Sequence, residues 1–420
     1  MSIKKSKYTF INLLSFNSIS VLLKIIMGLV STKLSSIYLG ISGINTLEFF
    51  RNFTTTADSL SQFGIQAGIV KNLAQSNSKS LDKQIVSTAF CILSLATLAT
   101  IILCVLFLNR IQIFLFESLV YQKVFFMYFI LLPLISLQTI MISFLQSKLF
   151  YQRVILINCI VYLLNIIFAY ILITNYNLIG AMFQIVLMPF IMTIVTFFFF
   201  QNKYNLFELV TFKSFNTPIA SDLLKFTLMN LIGTILAPLS FIVIRTMIET
   251  NLGEYFSGIW SSIIRLSSFY MMFIVSMCSL YFYPQIIKTS GSEFKKVIKQ
   301  YYTIFIPIIL FGFISIYFLQ NFIIKIVFTE EFIVLNEYLY LQFIADFIKS
   351  FYLFFGYVLI ARQKIMWFVI FELISIVTYL FISWMSISFF ELKGVFYAQI
   401  ISFIIYFIII IVFIKSKRLL

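Results

Sequence analysis

Six basic side chains interrupt segments that are otherwise apolar: Lys24, Lys33, Arg51, Arg245, Arg265 and Lys349. Five acids join them, Glu48, Asp58, Glu337, Asp346 and Glu372. A charge held near the centre of a bilayer costs about 3 kcal/mol even on a lenient scale, so six cations facing lipid would cost ~18 kcal/mol. That exceeds the 5 to 15 kcal/mol that typically separates a folded protein from its unfolded state, so most of them must face inward. Guanidinium groups collected in a water-poor interior make an anion site, and their planar fork suits phosphate oxygens.

Spacing assigns sides. At 100° per residue, Glu48, Arg51, Asn52, Thr55, Asp58, Ser59, Gln62 and Gln66 share one face of a helix, while Leu47, Phe49, Phe53, Leu60, Phe63 and Val70 point mostly away. Asn17, Ser20, Lys24, Gly28 and Ser31 repeat the arrangement on the preceding helix. Lys33 falls on its opposite side, near an end, where it can snorkel. Arg265 shares a stripe with Gly258, Ser261, Ser268, Ser276 and Ser279, with no acid of its own helix in reach. Arg245 shares a side with Asn230, Thr234 and Pro238 and has no close acid within its segment. Asp346 and Lys349, three residues apart, can instead neutralise each other and fix a helix interface, and Glu48 with Arg51 can do the same. The acids Asp58, Asp346 and Glu372 are candidates for coupling by protonation or cation binding. Pro238, before Arg245, is the hinge candidate, with a static kink as its alternative.

The elements that position these residues are membrane helices. Of 420 residues, 61% are hydrophobic and 11% charged, and the mean hydropathy is +1.04. This is the composition of an all-α polytopic membrane protein. Twelve apolar segments are long enough to cross: 10–38, 43–70, 84–108, 124–147, 154–174, 178–200, 223–248, 254–284, 300–320, 332–360, 365–389 and 394–414. With the N-terminus in the cytoplasm, 20 Lys and Arg fall in inner segments and four in outer ones, Arg110, Lys123, Lys325 and Lys393. Such a bias places both termini inside. The net charge of +15 is then mostly topology, with anionic lipid headgroups as counterpart, and calls for no nucleic-acid partner. Histidine is absent and the four cysteines are scattered through apolar runs, so neither a metal site nor a disulfide framework is readable, and no cofactor is expected. The N-terminal apolar run is too long for a cleaved leader.

The chain reads as two copies. SGINTLEFFR (Ser42 to Arg51) recurs as SGIWSSIIR (Ser257 to Arg265), YQRV (Tyr151 to Val154) as RQKI (Arg362 to Ile365), and IGAMFQI (Ile179 to Ile185) as KGVFYAQI (Lys393 to Ile400), at offsets of 215, 211 and 214 residues. Six helices per copy is an even number, so both copies have the same orientation. The expected architecture is two pseudo-twofold-related six-helix lobes around a central cavity. Their expected bounds are 1–200 and 223–420, joined by a polar cytoplasmic linker, 201–222. No extramembrane stretch could house a soluble catalytic domain.

The segments IYLGISGINTLEFFRNF and FGIQAGIVKNLAQ, with APLSFIVIRTMIE, SGIWSSIIRLSSFY and LYFYPQI, resemble the Wzx-type O-antigen and enterobacterial-common-antigen translocases. These are polysaccharide flippases of the multidrug/oligosaccharidyl-lipid/polysaccharide (MOP) exporter superfamily. The resemblance spans nearly the whole chain, although many relatives carry a Pro after the Gly of YLGISG. It implies a non-enzymatic exporter in the bacterial inner membrane that moves an undecaprenyl-diphosphate-linked oligosaccharide to the periplasmic leaflet by alternating access. Membrane lipids and other O-antigen assembly proteins would be its partners. It also implies that Lys24 or Lys33, Arg51, Arg245 and Arg265 line the cavity. Two alternatives stand beside it, a multidrug or metabolite antiporter of the same superfamily and a membrane-embedded polysaccharide polymerase.

Overall fold

The computed structural model describes the backbone of residues 2–211 and 214–417, with the side chains of 2–18, 207, 225–233 and 365 excepted. Asn17 and Asn230, placed above on polar helix faces, therefore lie outside the described side chains. Among the described residues every regular element is helical. In chain order these are α1 (Ser2–Gln62), α2 (Gln66–Gln75), α3 (Lys79–Leu106), α4 (Leu108–Phe116), α5 (Gln122–Ser147), α6 (Tyr151–Gln201), α7 (Leu206–Leu209), α8 (Thr217–Leu252), α9 (Glu254–Met277), α10 (Tyr283–Lys288), α11 (Gly291–Gln300), α12 (Ile306–Phe318), α13 (Gln320–Val327), α14 (Asn336–Ala361) and α15 (Ile365–Ser416).

Nine helical stretches among the described residues are long and apolar enough to cross a membrane. Three of them are double length and fold back at a single residue: α1 at Gly40, α6 at Asn177 and α15 at Glu391. Counted as pairs, they give the twelve crossings of a polytopic membrane protein. The outward surface is apolar, with Leu106, Phe311 and Phe389 more than 70% exposed, as hydrocarbon rather than water requires.

The duplication is written in the backbone. Positive φ angles recur at Gly40 and Gly253, Leu149 and Gln363, and Asn177 and Glu391. The two copies therefore turn at equivalent places. Just past the last pair, a Cβ on Gly180 would meet the Leu172 carbonyl, and one on Gly394 the Ser386 carbonyl, within 2.5 Å. Glycine is needed there because the returning helix crosses its own backbone.

Prolines shape the second copy. A π-turn at Cys278–Phe282 precedes Pro284, and another at Tyr301–Phe305 precedes Pro307. A proline ring collides with the carbonyl four residues back, and widening the helix by one residue relieves the collision. Pro133, Pro189 and Pro238 sit inside unbroken α-helix instead.

Two compact units emerge, residues 1–38 with 49–238, and residues 39–48 with 239–420. The start of the second crossing thus packs in the second unit, and the first half of the seventh in the first unit. In the first unit Ile65, Ile69, Leu73, Ile85, Leu93, Phe144, Leu145 and Ile157 form a buried core. In the second, Phe282, Tyr301, Phe305 and Phe354 pack ring against ring, and the Tyr301 and Tyr302 hydroxyls donate to the carbonyls of Ser350 and Phe351 at 2.6 and 2.7 Å.

Candidate functional site

The repeated motif meets its own copy inside the second unit. Gly258 lies against residue 41 so closely that a Cβ would stand 2.6 Å from the Ile41 carbonyl oxygen. That approach brings Asn45 between α8 and α9. Its Oδ1 accepts from Ser257 Oγ at 2.8 Å, and its Nδ2 donates to Glu249 Oε2 at 3.1 Å. SGIN and SGIWSSIIR, read as duplicates, are thus direct neighbours.

Around this junction sit two of the expected arginines. Arg245 is 1% exposed; its Nε donates to Ser261 Oγ at 2.7 Å and its guanidinium lies 5.5 Å from the Trp260 ring. It is sealed into the interface of α8 and α9 rather than lining open space. Neighbouring hydroxyls and a ring face supply what a helical wheel of α8 alone cannot show. Arg265 keeps 19% of its side-chain surface, stacks over Phe269 at 5.1 Å, and has its Nε 3.9 Å from Glu48 Oε1. An acid does face Arg265, from another helix. At 3.9 Å the contact is the long end of an ion pair.

In the first unit, Arg51 is half-buried, Lys33 half-buried and Lys24 exposed. Seven residues beyond Arg51, Asp58 Oδ1 accepts from the Tyr128 hydroxyl at 2.6 Å, and the same hydroxyl lies 3.1 Å from the Thr54 carbonyl. A further buried polar chain ties crossings one, five and six together: Ser31 Oγ donates to Gln184 Oε1 at 3.4 Å, and Gln184 Nε2 to Asn165 Oδ1 at 2.6 Å.

The second unit holds the other acids. Asp346 is buried, and its Oδ2 accepts from Tyr270 Oη at 2.5 Å, Ser267 Oγ at 2.6 Å and Gln342 Nε2 at 3.0 Å. No ion pair within 4.0 Å joins it to Lys349 among the described residues, because three neutral donors occupy the carboxylate and Lys349 leans over the Phe403 ring. Glu372 is half-buried and faces Lys349 and the Tyr406 hydroxyl, while Glu337 is exposed. Asp58 and Asp346 share a design with exchanged parts. The acid comes from the second crossing and the tyrosine from the fourth in one unit, and the tyrosine from the eighth and the acid from the tenth in the other.

Sequence reasoning missed Tyr128, Ser267, Tyr270 and Gln342, because each partner sits on another helix and only the buried acids signal that donors must exist. It also missed a break after Gln62. There Phe63 and Gly64 both have positive φ, and α2 starts anew at Gln66. The pair FG ahead of a polar QAG was the available signal.

No protein-family model matches the chain. Over 357 residues, 84% of this chain and 85% of the relative, it is 23% identical to the lipid III flippase of Escherichia coli (strain K12), and equally to that of Shigella flexneri. Among solved structures it is similar to an inward-facing multidrug-resistance MATE transporter of the MOP superfamily, with TM-score 0.79, 13% identity and 93% and 95% of the two chains covered. It is similar also to the lipid II flippase MurJ in an inward closed conformation, with TM-score 0.73, 16% identity and 96% and 87% covered. The chain has the fold of the MOP-superfamily transporters.

Proposed function

We propose that this protein is a flippase that carries an undecaprenyl-diphosphate-linked O-antigen repeat unit across the bacterial inner membrane by alternating access. The observation that carries the reading is the alignment with a lipid III flippase over 357 residues. The intramembrane charges agree with it. Arg265 stands on a stripe of small residues with a long contact to Glu48, and Arg51 is half-buried on a polar helix face. In this reading each is a candidate to bind the diphosphate within its own unit, Lys24 and Lys33 guide it in the first, and Arg245 fixes the stance of α8 against α9 in the second. A charge-assisted contact to phosphate in a low-dielectric setting supplies the differential binding that drives a conformational change. Protonation or cation binding at Asp58, Asp346 or Glu372 resets the cycle, with Pro238 as hinge.

Alanine at Arg265, and separately at Arg51, should abolish O-polysaccharide surface display while the protein remains at normal level in the membrane. Normal display by both variants removes the anion site. The antiporter alternative predicts drug-stimulated proton flux in vesicles. The polymerase alternative predicts a change in glycan chain length on incubation with the protein.

A further inference from the structure

Beside the break in the second crossing lies a partly polar cavity of about 590 Å³ within the first unit. Ser59 and Gln62 reach it from the end of α1, Gln66 and Lys71 from α2, Gln146 from α5 and Thr234 from α8. Three features set it apart from an ordinary gap between helices. Among the described residues its lining carries one charge, the cation Lys71, and no carboxylate. Among the described residues, the side-chain amides of Gln62, Gln66 and Gln146 make no hydrogen bond to the protein, although all three are half-buried. A primary amide offers two donors and an acceptor, so the three can bond a ligand rich in groups that both donate and accept.

The backbone around it is also special to this unit. Phe63 holds a φ of 50° and Gly64 one of 62°, and α2 begins without a side-chain cap. At the corresponding place in the second copy the helix runs on through the π-turn Cys278–Phe282, filled by Phe282 and Tyr301. The fold does not require the break, since its duplicate does without one. Broken crossings with exposed helix ends are the usual way in which membrane transporters build binding sites.

We infer that this cavity is the subsite for the carbohydrate of the transported lipid, an assignment that rests on the flippase reading above. Hydroxyl and N-acyl groups of sugars have mixed donor and acceptor character that the three glutamines can meet, and the volume lies within the range of small-molecule pockets. Ser59 and Gln62 follow Arg51 on the same helix by roughly 12 to 17 Å at 1.5 Å per residue. A diphosphate held by Arg51 would thus leave the attached glycan reaching toward the cavity.

The test uses the full-length protein in lipid nanodiscs and two probes, undecaprenyl diphosphate and the undecaprenyl-diphosphate-linked glycan extracted from cells lacking this gene. Wild type should bind the glycan-bearing probe about tenfold more tightly, the contribution of one or two hydrogen bonds. In Gln62→Ala/Gln146→Ala the two Kd values should converge, with that for undecaprenyl diphosphate unchanged. Thr234→Trp, which fills the cavity from α8, should give the same convergence and serves if the double variant does not fold. Equal Kd values in wild type, or a tenfold preference surviving in the variants, overturn the subsite alone. Binding of neither probe by wild type overturns the flippase reading itself.

Discussion

Gly258 and Gly312 are both helical glycines, and the protein treats them in opposite ways. Around Gly258 a methyl group would meet Ile41 Cγ2 at 2.5 Å and the Ile41 carbonyl oxygen at 2.6 Å, whereas around Gly312 nothing lies within 4 Å. Gly258→Ala should lower the thermal unfolding temperature in detergent by the equivalent of about 1 to 3 kcal/mol, the usual cost of overpacking. Gly312→Ala should leave it unchanged or slightly raised, because alanine is the better helix former. Equal behaviour of the two would contradict the close approach that seats Asn45 beside Ser257. At this scale the sequence was legible in part. It shows that Arg245 and Arg265 lie on faces with small polar neighbours, but not that Ser261 and Trp260 enclose the first while Glu48 reaches the second, since a helical wheel sees only its own helix.

Helices were legible as segments and obscure at their joints. The gap expected between 174 and 178 is a single residue, Asn177 (φ 47°, ψ −127°), and that between 389 and 394 is Glu391 (φ 50°, ψ −136°). Hydropathy dips at both places, but a dip cannot distinguish a loop from a one-residue fold-back. A non-glycine side chain in this backbone region costs of order 1 kcal/mol or more. Glu391→Gly should therefore raise the unfolding temperature, and a fall would show that the carboxylate itself stabilises the turn. Prolines were visible, but whether each produces a π-turn, as before Pro284 and Pro307, or lies quietly inside a helix, as Pro133 does, depends on the packing around the freed carbonyl. The break at Phe63 and Gly64 escaped because the apolar pattern continues through it to Val70.

For the molecule as a whole, the distribution of Lys and Arg predicts which loops face which compartment. Cysteines introduced at Ser118 and Glu330 should react with an impermeant maleimide added to intact spheroplasts, while those at Ser76 and Ser290 should react only after permeabilisation. Labelling at Ser76 from outside would invert the assignment. The duplication was legible at this scale because its signal repeats near one offset in several places. The exchange of short stretches between the units was not, because contact membership leaves no trace in composition. That exchange has a consequence for biosynthesis. Residues 39–48 leave the ribosome just over two hundred residues ahead of Glu249 and Ser257, the groups that satisfy Asn45. Until then a polar side chain waits in a nascent membrane segment without its native neighbours, so the second unit cannot complete its interior from its own half of the chain.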